Sequence, residues 1–266
     1  MKLVVIGGGN MGLTYAKGIH QAGLLNKKIS ILEKGEGFTR LLKTESDFNI
    51  YETPENCITN ADILLIAVKP FHAKDVFASI KNFTNKNQVV ISVMAGVKIN
   101  TIQNGLGLEK IVRSMPNLPA MIGKGMTAFT VSKNISAQEE QIVIRILSST
   151  GEVIKVNTEN DIDKSTGLSG SGTAYILYFM EGMINAAKEF GFSDEDAKKI
   201  VTQTFDGAIE LFRKNELSTS EWIEKVSSKG GTTIEAINSF ESNNVKNSIK
   251  KGAIAAYKRA LELGNS

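Results

Sequence analysis

Residues 3–12 read LVVIGGGNMG. Four apolar residues in a row, closed by glycines, fit a strand buried on both faces of a parallel sheet, where neither side meets water and no polar alternation is needed. From Asn10 to about residue 25 the spacing turns helical. Leu13, Ala16 and Ile19 fall three apart, and Gly23 marks an end. Between strand and helix, Gly7, Gly9 and Gly12 complete the pattern GxGxxG. Gly7 permits a tight turn, Gly9 leaves room for a pyrophosphate against the backbone, and Gly12 lets the helix pack closely on the sheet. The first N–H groups of the helix then face the phosphates. A strand, this loop and a helix in that order predict a Rossmann dinucleotide-binding domain.

The chain downstream continues the alternation. A second strand is expected at 28–32, KISIL, followed by Glu33 and Lys34. An acid at this place holds the adenosine ribose hydroxyls and favours NAD, whereas Lys34 with Arg40 would suit a 2′-phosphate. Both remain open, so the expected cofactor is NADPH or NADH. The run DILLIAV at 62–68 is the strongest strand, with Lys69 and Pro70 after it. Proline stops the ladder and leaves the lysine at the strand's carboxyl end, where open α/β sheets bind ligands; a solvated lysine is the plain alternative. Further strands are expected at 88–93 (leading to Ala95 and Gly96), 111–114, 125–131 and 151–156, with a short helical segment before residue 111 and a helix over about 136–149. The whole predicts a doubly wound sheet over residues 1–158.

Beyond about residue 160 strand-like runs vanish. Helices are expected from Thr173 to Phe190, from Ser193 (an N-cap, with Asp196 at the capping-box position) to about Lys214, and over about 243–262. Residues 159–266 therefore read as an all-helical second domain, and the fold class as α/β. Two small-residue stretches interrupt it: GLSGSGTAY at 167–175 and SSKGGTT at 227–233. Each reads as a loop opening a helix, able to present amides and hydroxyls to a carboxylate. The competing reading is plain capping by Ser171 or Thr173, and by Thr232.

Composition narrows the classes. The chain has 266 residues, 31 basic and 28 acidic, for a net charge of +3, with no basic cluster to suit nucleic acid. Cys57 is the one cysteine, and His20 and His72 are the two histidines, so neither a disulfide nor a metal cluster is expected. No stretch approaches a membrane span, and a cytoplasmic location is expected.

The assembled motifs resemble pyrroline-5-carboxylate reductases over nearly the whole chain. The residues that carry the resemblance are IGGGNMG at 6–12, AVKP at 67–70, SVMAG at 92–96, RSMPNLP at 113–119, GLSGSGTAY at 167–175, TQTFDGAIEL at 202–211 and SSKGGTTIEA at 227–236. The resemblance implies reduction of 1-pyrroline-5-carboxylate to L-proline by NAD(P)H, and a helical domain that exchanges helices in a homodimer, with dimers assembled into decamers in many members. Carried over by position, Gly7, Gly9, Asn10, Met11 and Gly12 hold the pyrophosphate region. Asn56 contacts the adenosine ribose, and Ala67, Val68, Lys69 and Pro70 line the cofactor's path. Met94, Ala95, Gly96, Pro116 and Asn117 lie near the nicotinamide. Gly230, Gly231, Thr232 and Thr233 receive the substrate carboxylate and ring. Thr233 is the side chain expected to hydrogen-bond the ring nitrogen, with Lys69 the other candidate for a catalytic role. Two departures stand out: Thr173 and Lys229 occupy places where the family usually has proline. They leave open a reductase of another cyclic imino acid, and a non-enzymatic NAD(P)-binding sensor is the third reading.

Overall fold

The computed structural model describes residues 1–35, 39 and 46–264. Among them lies one eight-stranded sheet in the order β3-β2-β1-β4-β5-β6-β7-β8. The strands are β1 Leu3–Ile6, β2 Ile29–Leu32, β3 Phe48–Tyr51, β4 Ile63–Ile66, β5 Val89–Ser92, β6 Ile111–Met115, β7 Gly125–Val131 and β8 Gly151–Lys155. The reversal of order beside β1, with β2 on one side and β4 on the other, is the switch point at which open α/β sheets hold their ligands.

The apolar run 3–6 does what its sequence requires. Leu3 and Val5 enter one buried cluster, with α1 (Asn10–Gln21) and Ile146 of a later helix. Val4 and Ile6 enter the other, with Phe77 of α2 (Ala73–Ile80) and Ile102 of α3 (Ile99–Leu106). Successive residues of a strand point to opposite faces, so a strand covered on both sides must be apolar throughout. That later helix, α4 (Ala137–Leu147), begins at Ser136, whose hydroxyl accepts from the Glu139 N–H while the Glu139 carboxylate accepts from the Ser136 N–H, a capping box.

Several expectations are corrected. Helix α1 ends at Gln21, short of residue 25, where Gly23 adopts a φ of +61°. Strand β3 was not foreseen from its four residues FNIY, in which Asn49 interrupts the apolar pattern. Strand β7 runs antiparallel to β6, whereas β1 to β6 are parallel. The connection from β6 to β7 holds only a 3₁₀ turn, Leu118–Ile122, too short for the helical crossover that a parallel return demands. The stretch 167–175 is no open loop. Helix α5 (Glu159–Ser165) continues through a π turn, Thr166–Gly170, and α6 (Gly172–Glu189) follows.

The chain divides into two compact units, Met1–Ser171 with the C-terminal residues from Ala255, and Gly172–Ile254. The second unit holds α6, α7 (Asp194–Arg213), α8 (Thr219–Val226), α9 (Thr232–Ser242) and the first half of α10 (Val245–Leu263). Phe179 of α6 meets Phe205 of α7 and Phe240 of α9 edge-on, at 6.0 and 6.1 Å between ring centres. Among the described residues of this unit, only Ala187, Ala197 and Val201 are buried. Of the 18 residues of α6, Ala187 alone is buried among the described residues, and Ile176, Leu177 and Tyr178 are exposed.

Candidate active site

The parallel strands β1, β2, β4, β5 and β6 bring their carboxyl ends to one edge of the sheet. Most sequence-derived residues of the first unit lie along it. Gly7 follows β1, Glu33 follows β2, Ala67 to Pro70 follow β4, Met94 to Gly96 follow β5, and Pro116 and Asn117 follow β6. A cleft of about 410 Å³ opens beside the switch point, lined by Gly7, Glu33, Lys34 and Val68 among others. Asn56, in the exposed turn beyond β3, does not line it. Arg40 lies outside the described residues.

The glycine loop shows two steric needs and one opening. Gly7 has a φ of +96°, and a Cβ there would stand 2.8 Å from Val68 Cγ1. A Cβ on Gly12 would approach the Gly7 carbonyl oxygen more closely than the 3.0 Å that real Cβ atoms keep. A Cβ on Gly9 would meet nothing within 4 Å, so the space above this residue is open for a ligand. These observations fit a dinucleotide pyrophosphate lying on the loop.

Helix capping points the same way. Helices α4, α5, α7 and α8 each start behind a Ser or Thr whose side chain accepts a first-turn N–H. Helices α1, α2, α3 and α9 start with no side-chain cap, α2 and α3 behind His72 and Lys98, and α1 and α9 behind Gly9 and Gly231, which have no side chain to stand over the helix start. Thr232 is thus the first residue of α9 and not its cap, a correction to the capping reading. Gly230, at φ +73°, turns the chain into this helix, whose first residues are Thr232 and Thr233. Uncapped helix starts leave N–H donors and the positive end of the helix dipole to an anion.

Glu33 has two fixed partners. One carboxylate oxygen accepts from the Gly8 N–H and the other from the Gly35 N–H, both at 2.7 Å. The carboxylate is thereby held against the glycine loop at the end of β2. Lys34 and Lys69 are exposed. Asn117 is pinned from two sides: its amide oxygen accepts from the Met126 N–H at 2.9 Å, and its amide nitrogen donates to Ser169 Oγ at 3.1 Å.

Sequence reasoning passed over His72, Asp75 and Ser79, which line the cleft from the segment after AVKP. Asp75 and Ser79 lie four apart on α2, a spacing that places them on one face and could have flagged them. It also passed over Arg113, buried inside RSMPN. Cys57 is buried as well, and desolvation pushes its thiol up to about 11. The thiol form therefore dominates at neutral pH, and the native protein is expected to react with Ellman's reagent at pH 8 at least 100-fold more slowly than the unfolded chain. Equal rates in the two states would mean that the burial is transient.

Two family models match. Residues 159–263 fit the pyrroline-5-carboxylate reductase dimerisation model, and residues 2–96 fit the model of NADP oxidoreductase, coenzyme F420-dependent. The pyrroline-5-carboxylate reductase of Aquifex aeolicus is 33% identical over 264 residues, covering 99% of this chain and 97% of its own. The chain belongs to the pyrroline-5-carboxylate reductase family. A solved pyrroline-5-carboxylate reductase from Coxiella burnetii superposes with a TM-score of 0.91 at 31% identity, over 100% of this chain and 99% of its own. The pyrroline carboxylate reductase of Plasmodium falciparum, solved with NADP bound, gives a TM-score of 0.89 at 29% identity, over 99% and 98% of the two chains. The family assignment accounts for the exposed apolar face of α6, since the segment carrying it matches a dimerisation model and a homo-oligomer covers such a face. No helix among the described residues is long and apolar enough to cross a membrane.

Proposed function

We propose that this protein reduces the C=N bond of 1-pyrroline-5-carboxylate to give L-proline, the final step of proline biosynthesis, with NADH or NADPH as hydride donor. The observation that carries this reading is the whole-length match to pyrroline-5-carboxylate reductases, with both glycine-led helix starts in place. When bound, the dinucleotide supplies the hydride from its nicotinamide ring.

The chain's own residues bind, orient and exclude. Gly7, Gly9, Asn10, Met11 and Gly12 hold the pyrophosphate at the start of α1. Ala67, Val68, Lys69 and Pro70 line the path across the sheet edge, with Asn56 on the adenosine side. Met94, Ala95, Gly96, Pro116 and Asn117 flank the nicotinamide. Residues 230–233 take the substrate carboxylate on the N–H groups of α9, and the Thr233 hydroxyl hydrogen-bonds the ring nitrogen. Lys69 is the cationic side chain assigned to the reacting region. A protonated imine already accepts hydride readily, so these residues supply orientation more than acid strength. Residues 1–158 form the cofactor domain and 159–266 the dimerisation and substrate domain. The functional unit is a cytoplasmic homodimer with exchanged helices, assembled into a decamer.

Glu33 decides between the two dinucleotides. Its carboxylate is tied in place by two N–H groups, at the position where an adenosine ribose would stand. A 2′-phosphate would lie against it, at a cost of about 1–4 kcal/mol per unit charge at 4 Å. The test is oxidation of NADH and NADPH at 340 nm with pyrroline-5-carboxylate, alongside dissociation constants from nucleotide fluorescence. NADH is expected to be favoured at least tenfold in kcat/KM, and Glu33→Ser to erase most of that difference. Equal use of both by the natural protein would overturn the assignment to Glu33. Proline formation with neither would overturn the function.

A further inference from the structure

The segment RSMPN carries one group that the proposed chemistry does not use. Arg113 is 1% exposed, in the middle of the sheet. Its guanidinium donates to the Asp163 carboxylate and, at 3.2 Å, to Glu159 Oε1. Its buried Nε finds no acceptor among the described residues. A buried ion pair is a poor source of stability, because desolvating the charges offsets their attraction; its clearer use is to fix one arrangement among several.

The surroundings show which arrangement is fixed. Side chains two apart on an extended chain point the same way. Arg113, Met115 and Asn117 are such a set, and all three reach the segment from α5 through the π turn. Arg113 holds Glu159 and Asp163. A Cβ on Gly170 would lie 3.1 Å from Met115 Cε, and Asn117 donates to Ser169. Glu159 Oε1 accepts a second bond, from the Ile99 N–H at 2.8 Å. Ile99 opens α3 directly behind the loop carrying Met94 to Gly96. The Arg113–Glu159 pair therefore joins three segments: the middle of β6, the start of α5 that leads into the π turn, and the start of α3 behind the loop after β5.

We propose that Arg113 is a positioning residue for hydride transfer, acting through Glu159 to hold the 94–98 loop and through Asp163 to hold the turn Thr166–Gly170. This rests on the reading that Met94 to Gly96 flank the nicotinamide. A displaced loop would spoil the approach of hydride donor to imine without touching the adenosine end of the cofactor site. Misplacement by about an ångström is enough to lower a rate on the order of 100-fold.

The test uses Glu159→Ala and Glu159→Gln in the full-length protein, with Arg113→Lys beside them. Thermal midpoint and oligomeric state report the fold, ADP-ribose affinity reports the adenosine end, and steady-state kinetics with pyrroline-5-carboxylate reports the reacting end. Glu159 is partly exposed, so its variants are expected to fold even where Arg113→Lys does not. In Glu159→Ala, kcat is expected to fall at least tenfold while ADP-ribose affinity stays within twofold. Glu159→Gln keeps an oxygen that can accept from both Ile99 and Arg113, and is expected to return kcat to within threefold of the natural protein. A folded Glu159→Ala with unchanged kcat overturns the proposal, as does a loss that Glu159→Gln fails to rescue. Ala95→Leu separates the two readings. If it leaves kcat intact, the loop does not face the nicotinamide. If it abolishes turnover while Glu159→Ala is fully active, the loop reading stands and the role of Arg113 falls.

Discussion

Gly12→Ala is expected to destabilise the protein by about 3 kcal/mol and to remove measurable cofactor binding. The new methyl would collide with the carbonyl oxygen of Gly7 and stand 3.1 Å from Val5 Cγ1. Neither neighbour can step aside. The Gly7 N–H is bonded to the Leu32 carbonyl at 2.9 Å, and Val5 sits in the buried sheet. Helix α1 would have to lift away from β1, carrying with it the N–H groups proposed to receive phosphate. Gly9→Ala is the matched control, because the same methyl meets nothing within 4 Å. It should fold with natural stability and lose only cofactor affinity. Urea unfolding and titration with NADH, run on both variants, separate the two effects. A stable Gly12→Ala that binds NADH normally would mean that the close packing of α1 on β1 is not needed.

The second large effect concerns the face of α6. Leu177 is 55% exposed in the single chain, with Ile176 and Tyr178 beside it at 51% and 79%. An apolar surface of this kind is the mark of a face that a partner covers. Burying one leucine is worth about 2 kcal/mol, and a carboxylate in its place adds the cost of desolvating a charge. Leu177→Asp should therefore shift sedimentation from an oligomer to the 28.8 kDa single chain and lower the thermal midpoint. Activity should fall with it if the reacting site needs two chains. A variant that remains oligomeric would place the interface on another face.

The parts of the fold that were legible in the sequence share a physical feature: one dominant constraint. LVVI must be a doubly covered strand, and a GxGxxG behind it must turn into a helix. The 125–131 strand was placed without error, and its antiparallel direction was not, because direction depends on the length of a connection rather than on the strand itself. The stretch GLSGSG misled through its composition. Glycine there reads as freedom, yet a Cβ on Gly167 would stand 2.6 Å from the backbone nitrogen of Tyr257, so this glycine serves close packing within a helical path. Tyr257 also donates its hydroxyl hydrogen to Asn160 at 2.7 Å, which fastens the start of that path to α10. The steric constraints at Gly7 and Gly12 were legible from the glycine pattern, whereas contacts made by side chains distant in the sequence were not. Nothing near Arg113 in the sequence announces carboxylates 46 and 50 positions away.

Helices α1 and α9 both begin behind a glycine, with no side chain to cap the first turn. In thermodynamic terms, the fold is written one component short at each of these ends, and under the proposed function the missing component arrives from solution. A dinucleotide phosphate and a substrate carboxylate then act as parts of the folded state. Linkage makes the melting temperature a function of their concentrations, rising by RT ln(1 + [L]/Kd) in free energy for each ligand bound only by the folded chain. A cell that runs short of either would hold a less durable enzyme as well as an idle one.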